Sequence, residues 1–219
     1  GDNDKNINAS ILVYEPSNSQ ILAMVDRPDT VNNPVHTVGR PPGTLVTPFV
    51  YLTAFTRGFN PASLLWDIPL EPAPIPLSRL EPETDFKGPL RLRNAFATDR
   101  LIPAARLINQ IGIENIIKIS RQMGLTSLTI DPTSGPPNTC PGCQVLLGEG
   151  QVTLVEAVQA FGAFSNQGYL VGLPEKINVT GETSRLSPIV ILSVVDNKNR
   201  TWLTSPQFET RPVISTQLA

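Results

Sequence analysis

The sequence predicts an α+β domain that is rich in helices and opens with a β-hairpin. The first observation is a pair of apolar runs within 9–25, separated by the turn-forming residues 16–19. The second is a series of segments between 90 and 166 with apolar residues at helical spacing. The third is a further pair of strands, 189–195 and 201–203, around an Asp-Asn-Lys-Asn turn. Hairpins at both ends with helices between them indicate segregated α and β elements.

The composition supports a folded core and excludes several classes of protein. Of 219 residues, 40% are hydrophobic, which is sufficient for a core at this length. The formal net charge is -2, which argues against a nucleic-acid partner because phosphate binding needs a clustered basic excess. No apolar run approaches the roughly 20 residues of a membrane span. We expect residues 1–8 to be a polar linker and 9–219 to be one domain.

After the first hairpin, one helix is expected between two irregular segments. Residues 27–43 are mostly polar and contain turn-forming dipeptides, which predicts a loop. Thr44 stands where a residue would cap the helix that carries the apolar run 49–55. Six prolines from Pro69 to Pro89 remove backbone donors, and this density predicts an extended connector.

Four helices are predicted between 90 and 166. The segments 90–97, 103–111 and 113–123 come first; the second opens with a proline, which a first turn tolerates, and the third ends at Gly124. Thr153 and Glu156 have the spacing of a capping box for a helix that extends to Asn166. The large apolar residues of that helix are expected to form its buried face: Leu154, Val155, Val158, Phe161 and Phe164.

Both cysteines, Cys140 and Cys143, fall in one C-x-x-C pattern. A zinc site needs four ligands, yet the chain offers a single histidine, His36, and no second cysteine pair, so no metal or other cofactor is expected. A thioredoxin-like site would open a helix, whereas here prolines precede the cysteines and a short apolar stretch follows. A short structural disulfide or two free thiols are the favoured alternatives, and a disulfide would indicate an oxidising compartment. Trp66 and Trp202 are expected to serve packing.

Four blocks of the sequence, taken in chain order, carry a family resemblance. They are ASILVYEP with QILAMV in 9–25, RPPGTLVTPFVY at 40–51, GPLRLRNAFA with PAARL in 88–107, and LGEGQVTL with FSNQG in 147–168. They resemble the opening hairpin, the nucleophile segment, the surroundings of the second motif and a well-marked helix of the transpeptidase domain of class A penicillin-binding proteins. The resemblance implies the penicillin-binding-protein/serine β-lactamase-like fold from Ala9 onward, truncated because its C-terminal strands are absent before Ala219.

The segment that resembles the nucleophile segment lacks the pair of residues that the family's chemistry uses. Acylation needs a serine and a lysine three residues later, where the amine can take the proton of the hydroxyl. This chain has Thr44 and Thr47 at the matching positions, and a second threonine cannot act as that base. No serine in the chain lies three residues before a lysine.

The other two motifs of the family are also degenerate or missing. Asp99 and Leu101 stand where the resemblance implies an S-x-N motif, and leucine cannot hydrogen-bond a substrate amide. The third motif, K-T/S-G, is absent. Asp99 and the neighbouring Arg100 are expected to form an exposed ion pair. We therefore interpret Thr44, Thr47, Asp99 and Leu101 as vestigial positions of a site that no longer catalyses acyl transfer.

The resemblance implies a function in bacterial cell-wall assembly outside the cytoplasm, with the full-length protein anchored in the membrane. The domain is expected to act as a scaffold or interaction module, and its expected partners are peptidoglycan or cell-wall assembly proteins. The alternative is an active D,D-transpeptidase whose motifs are displaced or missing. We also expect the hairpin 11–25 to expose an unpaired edge, which a missing C-terminal segment, a second copy or a partner would cover.

Overall fold

The computed structural model describes residues 9–26, 38–69, 85–130, 140, 142–175, 185–204 and 207–219. The α-helices are α1 (Thr47–Thr56), α2 (Leu92–Ala97), α3 (Leu101–Ile111), α4 (Ile113–Gln122) and α5 (Leu154–Ser165). The strands are β1 (Ser10–Glu15), β2 (Gln20–Asp26), β3 (Leu64–Asp67), β4 (Gly88–Arg91), β5 (Tyr169–Pro174), β6 (Leu186–Ser187), β7 (Ser193–Val195), β8 (Thr201–Thr204) and β9 (Glu209–Pro212). None of these helices has the length and apolar content that a membrane crossing needs.

The chain divides into two compact units. The strand-rich unit comprises residues 1–39, 123–126 and 153–219, and the helical unit comprises residues 40–122 and 127–152. The strand-rich unit contains α5 and every described strand except β3 and β4, which lie with α1 to α4 in the helical unit. The α+β class is confirmed by this mixture of helices and small antiparallel sheets.

In the strand-rich unit, the first hairpin forms where the sequence predicts it. β1 and β2 pair antiparallel from Ser10 opposite Asp26 to Glu15 opposite Gln20, with an irregularity after Val13. β2 is not a fully open edge, because Ile21 donates a 2.9 Å backbone hydrogen bond to the carbonyl of Ile189. β5 lies between β6 and β9. β7 pairs with β8 as the predicted second hairpin, although β7 begins at Ser193 and not at residue 189.

The predicted helix after Thr153 is present, but its buried face is not the one that the sequence suggests. α5 packs against β1 and β5, and it buries mainly small and polar residues: Glu156, Ala157, Gln159, Ala160, Gly162 and Ala163. The larger residues Leu154, Val155, Val158 and Phe164 are half-buried, and Phe161 is exposed. Because a Cβ at Gly162 would lie 2.6 Å from the Tyr14 ring, α5 and β1 approach too closely for large residues between them.

In the helical unit, α1 supplies the centre of the core. Phe49, Val50 and Ala54 are fully buried, and so are Leu107 and Ile108 of α3, the helix against which α1 packs. The predicted helices 103–111 and 113–123 are confirmed as α3 and α4, although α3 begins two residues earlier than expected.

The connector between 68 and 89 and the helix 90–97 need correction. Residues 70–84 of the connector lie outside the described residues, but its end is not merely extended, because β4 pairs antiparallel with β3. Leu90 and Arg91 belong to this strand, so α2 begins at Leu92. The pairing of Leu65 with Leu90 joins residues 25 positions apart, and no local pattern indicates it.

Candidate functional site

Thr44 lies in a 3₁₀ turn at 43–46 that precedes α1, and it does not cap the helix. The residue before α1 is Val46, which provides no side-chain cap. Backbone carbonyls bind the amides instead: Leu45 donates to Pro42 at 3.2 Å, and Thr47 donates to Thr44. The predicted capping role of Thr44 is therefore wrong, because the 3₁₀ turn satisfies these donors without a side chain. The Thr44 side chain is exposed.

Thr47 is the first residue of α1, and it is buried with 3% of its surface exposed. Its hydroxyl oxygen has no hydrogen-bond partner in the described part of the chain. Three of the five lysines lie there, at Lys87, Lys118 and Lys198, and none of them hydrogen-bonds Thr44 or Thr47; Lys87 pairs with Asp85. Three residues after Thr44, the described structure therefore has a packed hydroxyl without a hydrogen-bond partner where the family has a lysine amine.

Arg100 pairs with a carboxylate other than the one that the sequence suggests. Its guanidinium lies 2.6 Å from Oδ2 of Asp67, whose side chain is fully buried, while Asp99 is exposed in a left-handed conformation with φ +48. The expected Asp99–Arg100 pair is therefore wrong, because Arg100 turns inward to neutralise a buried charge. A lone aspartate among apolar residues of β3 was the available signal, since burial makes an ion partner necessary.

Leu101, the second of the positions that match the S-x-N motif, begins α3 and is buried with 8% of its surface exposed. It contributes packing and offers no polar atom to a ligand. Asp99 is the exposed member of this pair of positions, so the described site presents a carboxylate there in place of a hydroxyl.

Tyr51 lies one helical turn after Thr47 and is buried with 1% of its surface exposed. Its ring packs against Phe96 with centroids 4.8 Å apart. Burial raises the pKa of the Tyr51 phenol, and the negative charges of Asp99 and Asp67 raise it further. The phenol therefore stays protonated at neutral pH and cannot serve as the base that Thr47 does not provide.

Cys140 and Cys143 form a disulfide that is buried beside α3. Within the described ranges, no group of His, Cys, Asp and Glu residues is arranged to hold a metal ion. His36, which the sequence offers as a ligand or catalytic group, lies outside the described residues.

Trp66 and Trp202 are exposed to 53% and 72%, so the expected packing role is wrong for both. The ring of Trp202 lies 5.9 Å from the guanidinium carbon of Arg200.

The fold and the order of these segments define the class of protein. Residues 9–179 match the family described as the penicillin binding protein transpeptidase domain, which is most of the chain. The chain therefore belongs to this family, as the resemblance of its sequence blocks indicates.

Curated relatives and solved structures agree with this assignment. Penicillin-binding protein 1A of Vibrio cholerae is 26% identical over 173 residues, which cover 76% of this chain and 20% of that protein. Penicillin-binding protein 1A of Pseudomonas aeruginosa is 32% identical over 136 residues, which cover 60% of this chain and 16% of that protein. The chain thus spans about one fifth of the length of the curated relatives it matches.

Two solved structures from Mycobacterium tuberculosis share the fold. The penicillin-binding protein PonA1 superposes with a TM-score of 0.69 at 14% identity, over 96% of this chain and 53% of that chain. PBPA superposes with a TM-score of 0.71 at 16% identity, over 95% of this chain and 55% of that chain. At these identities the likeness establishes the fold of this chain, and the chemistry of the site has to be inferred from its own residues.

Proposed function

We propose that this transpeptidase-like domain is a non-catalytic scaffold or interaction module in bacterial peptidoglycan assembly, outside the cytoplasm and anchored in the membrane through the full-length protein. The proposal combines the family of the domain with the state of the positions that match the catalytic motifs. Its ligands or partners would be peptidoglycan or other cell-wall assembly proteins.

The observation that carries the proposal is the Thr44–Thr47 pair. Thr44 has a hydroxyl that could in principle attack an acyl group, but an alcohol needs an adjacent base to do so at a useful rate. The side chain one turn later is the buried hydroxyl of Thr47, which cannot accept the proton at neutral pH. Loss of one member of such a catalytic unit costs on the order of 10³ to 10⁶ in rate, so Thr44 is expected to be inert.

The exposed face of the first hairpin supports an interaction role. Ile11 pairs with Val25, so both side chains lie on one face of the hairpin, and they are exposed to 64% and 62%. Val13 lies on the same face and is exposed to 46%. Contiguous apolar surface of this kind is typical of a contact site. We propose that a cell-wall assembly protein binds this face of the hairpin. The alternatives are a C-terminal segment of the same protein and a second copy of the chain.

Labelling with a fluorescent penicillin tests the proposal. The protein is incubated with the label in parallel with the penicillin-binding protein 1A of Vibrio cholerae, separated by denaturing electrophoresis and imaged for covalent label. We expect the reference protein to be labelled and this chain to show no band, because no base activates Thr44.

The Thr44→Ala variant is the matched control, since Thr44 is exposed and its hydroxyl holds no hydrogen bond in the described structure. A band that is present in the wild type and lost in the variant would show acylation at Thr44 and overturn the proposal. A band that persists in the variant would also overturn it, in favour of an active D,D-transpeptidase with a displaced nucleophile.

A further inference from the structure

The buried cysteine pair lies beside α3, and the proposed function makes no use of it. Cys140 is exposed to 9% and Cys143 is fully buried. The two sulfur atoms lie 3.6 Å and 3.5 Å from the carbonyl oxygen of Ala105, in the middle of α3. The disulfide therefore packs into the core of the helical unit and is not a surface bridge.

Gly142, which precedes Cys143, fits closely against the start of α4. The amide of Cys143 donates a 3.1 Å hydrogen bond to the carbonyl of Cys140, and Gly142 adopts a left-handed conformation with φ +76. A Cβ at Gly142 would lie 2.4 Å from Cγ1 of Ile113. The backbone at Gly142 thus contacts α4 directly and leaves no room for a side chain.

The residues that follow the disulfide pack against the turn that carries Thr44. A 3₁₀ turn at 143–147 buries Val145 completely and contacts the 43–46 turn. Arg40, just before the 43–46 turn, and Val152, after the 143–147 turn, exchange two backbone hydrogen bonds of 2.9 Å. The position of Thr44 therefore depends on the segment that the disulfide begins.

We propose that the Cys140–Cys143 disulfide is a conformational clamp that fixes the 142–152 segment in the shape that holds the Thr44 turn in place. A bridge across four residues closes a very short loop, so it constrains the unfolded chain less than a long-range bridge does. Its main effect is local: it selects the tight reversal that lets Gly142 approach Ile113 and presents the 143–147 turn to the 43–46 turn.

The burial of both sulfurs indicates when the bridge forms. Thiol–disulfide exchange needs a thiolate that can reach a disulfide sulfur, so it must take place before the turn docks on α3. One cysteine thiolate attacks an accessible disulfide of an oxidising partner and releases one partner thiolate, leaving a mixed disulfide. The thiolate of the second cysteine then attacks the first cysteine's sulfur and releases the second partner thiolate. The chain loses two protons and two electrons, and the partner gains them as a dithiol.

Hydrogen exchange followed by mass spectrometry tests the clamp. The oxidised wild type is compared with the Cys140→Ala/Cys143→Ala variant, whose small apolar side chains suit the buried site. We expect amides in 40–46 and 142–152 to exchange at least tenfold faster in the variant. Peptides from α5, which lies in the strand-rich unit, should exchange at the wild-type rate and serve as the internal control.

Two results would contradict the clamp. Unchanged exchange in 40–46 would show that the Thr44 turn does not depend on the bridge. A variant that fails to fold, with equally fast exchange in α5, would show that the bridge holds the whole protein and not one segment.

Reduction kinetics of the wild type test the burial argument without any substitution. The disulfide should be reduced by a small dithiol at least a hundredfold more slowly in the native protein than in urea. Equal rates in the two conditions would show that the bridge is accessible in the folded state, and the proposed order of formation and docking would be wrong.

Discussion

At the scale of single residues, the surroundings of Tyr51 in α1 disfavour its ionised form. Tyr51 follows Thr47 by one helical turn, and the carboxylates of Asp67 and Asp99 act on its phenol electrostatically. Its burial and both carboxylates raise the pKa of the phenol, because each of them disfavours the phenolate. Tyr51 and Thr47 are both buried and uncharged at neutral pH, so neither side chain can act as a base for Thr44.

This shift predicts that stability falls at alkaline pH. The unfolded phenol titrates near pH 10, whereas the folded one has a raised pKa, so the stabilisation is complete below pH 10 and is lost as pH rises above it. Between pH 8 and pH 11 the wild type should lose about 1.4 kcal/mol more stability than the Tyr51→Phe variant. Urea unfolding of both proteins at the two pH values measures the difference.

Equal losses in the wild type and in Tyr51→Phe would show that the phenol titrates alike in the folded and unfolded states. A larger loss in the variant would contradict the direction of the shift. Because the variant keeps the ring that packs on Phe96, the comparison isolates the hydroxyl.

The residue scale also shows where sequence reasoning was incomplete. The resemblance of the block 40–51 identifies Thr44 and Thr47 as the matching positions, whereas adjacency in the sequence wrongly pairs Arg100 with Asp99. The true partner, Asp67, lies 33 positions away and is brought close by the packing of α3 on β3. The apolar neighbours of Asp67 indicate that its carboxylate needs a partner, but no local pattern identifies Arg100 as that partner, because the two residues are distant in the sequence.

At the scale of elements, the sequence near Thr153 determines where α5 begins, whereas contacts with distant residues determine which face of α5 is buried. The Thr153 hydroxyl accepts a hydrogen bond from the amide of Glu156, and the Glu156 carboxylate accepts one from the amide of Thr153. This capping box was predicted because all its atoms lie within four residues. Glu156 also lies 3.2 Å from Arg185 and accepts a hydrogen bond from Thr126, which no local pattern indicates.

The apolar pattern of α5 mispredicts its buried face, because the pattern does not indicate how closely β1 approaches the helix. Gly162 faces Tyr14, whose hydroxyl donates a 3.1 Å hydrogen bond to the buried Ser19. This bond holds the ring in place, so the helix must present a glycine there. The close contact requires small residues on the buried face and leaves the large ones nearer the surface.

The contact predicts that Gly162→Ala destabilises the protein, although alanine is the better helix former. Its Cβ would lie 2.6 Å from the Tyr14 ring. Overpacking costs about 1–3 kcal/mol, whereas the gain in helix propensity is about 1 kcal/mol, so the free energy of unfolding should fall by about 1 kcal/mol. Urea denaturation of the variant and the wild type measures the change.

A Tyr14→Ala background provides the matched control. Once the ring is removed, Gly162→Ala should stabilise the protein, because only the propensity term remains. If alanine stabilised the protein equally in both backgrounds, the close packing of α5 on β1 would be refuted.

At the scale of the whole molecule, a family fold is retained while the positions that match its catalytic motifs hold other residues. The family followed from the order of four sequence blocks, and the α+β class followed from hairpin signals and helix spacing, because all of these are local features of the sequence. The pairing of β3 with β4 did not, because it joins segments separated by the proline-rich stretch. The core of the helical unit depends on α1, where the buried Thr47 serves packing.

The central proposal is that no amine activates the Thr44 hydroxyl, so that Thr44 is not acylated; among the described residues, no lysine hydrogen-bonds it. The most direct measurement is the intact mass of the native protein after prolonged incubation with excess benzylpenicillin. We predict that the mass remains that of the unmodified chain at every time point. A stoichiometric increase by the mass of the opened β-lactam, absent from Thr44→Ala, would contradict the claim.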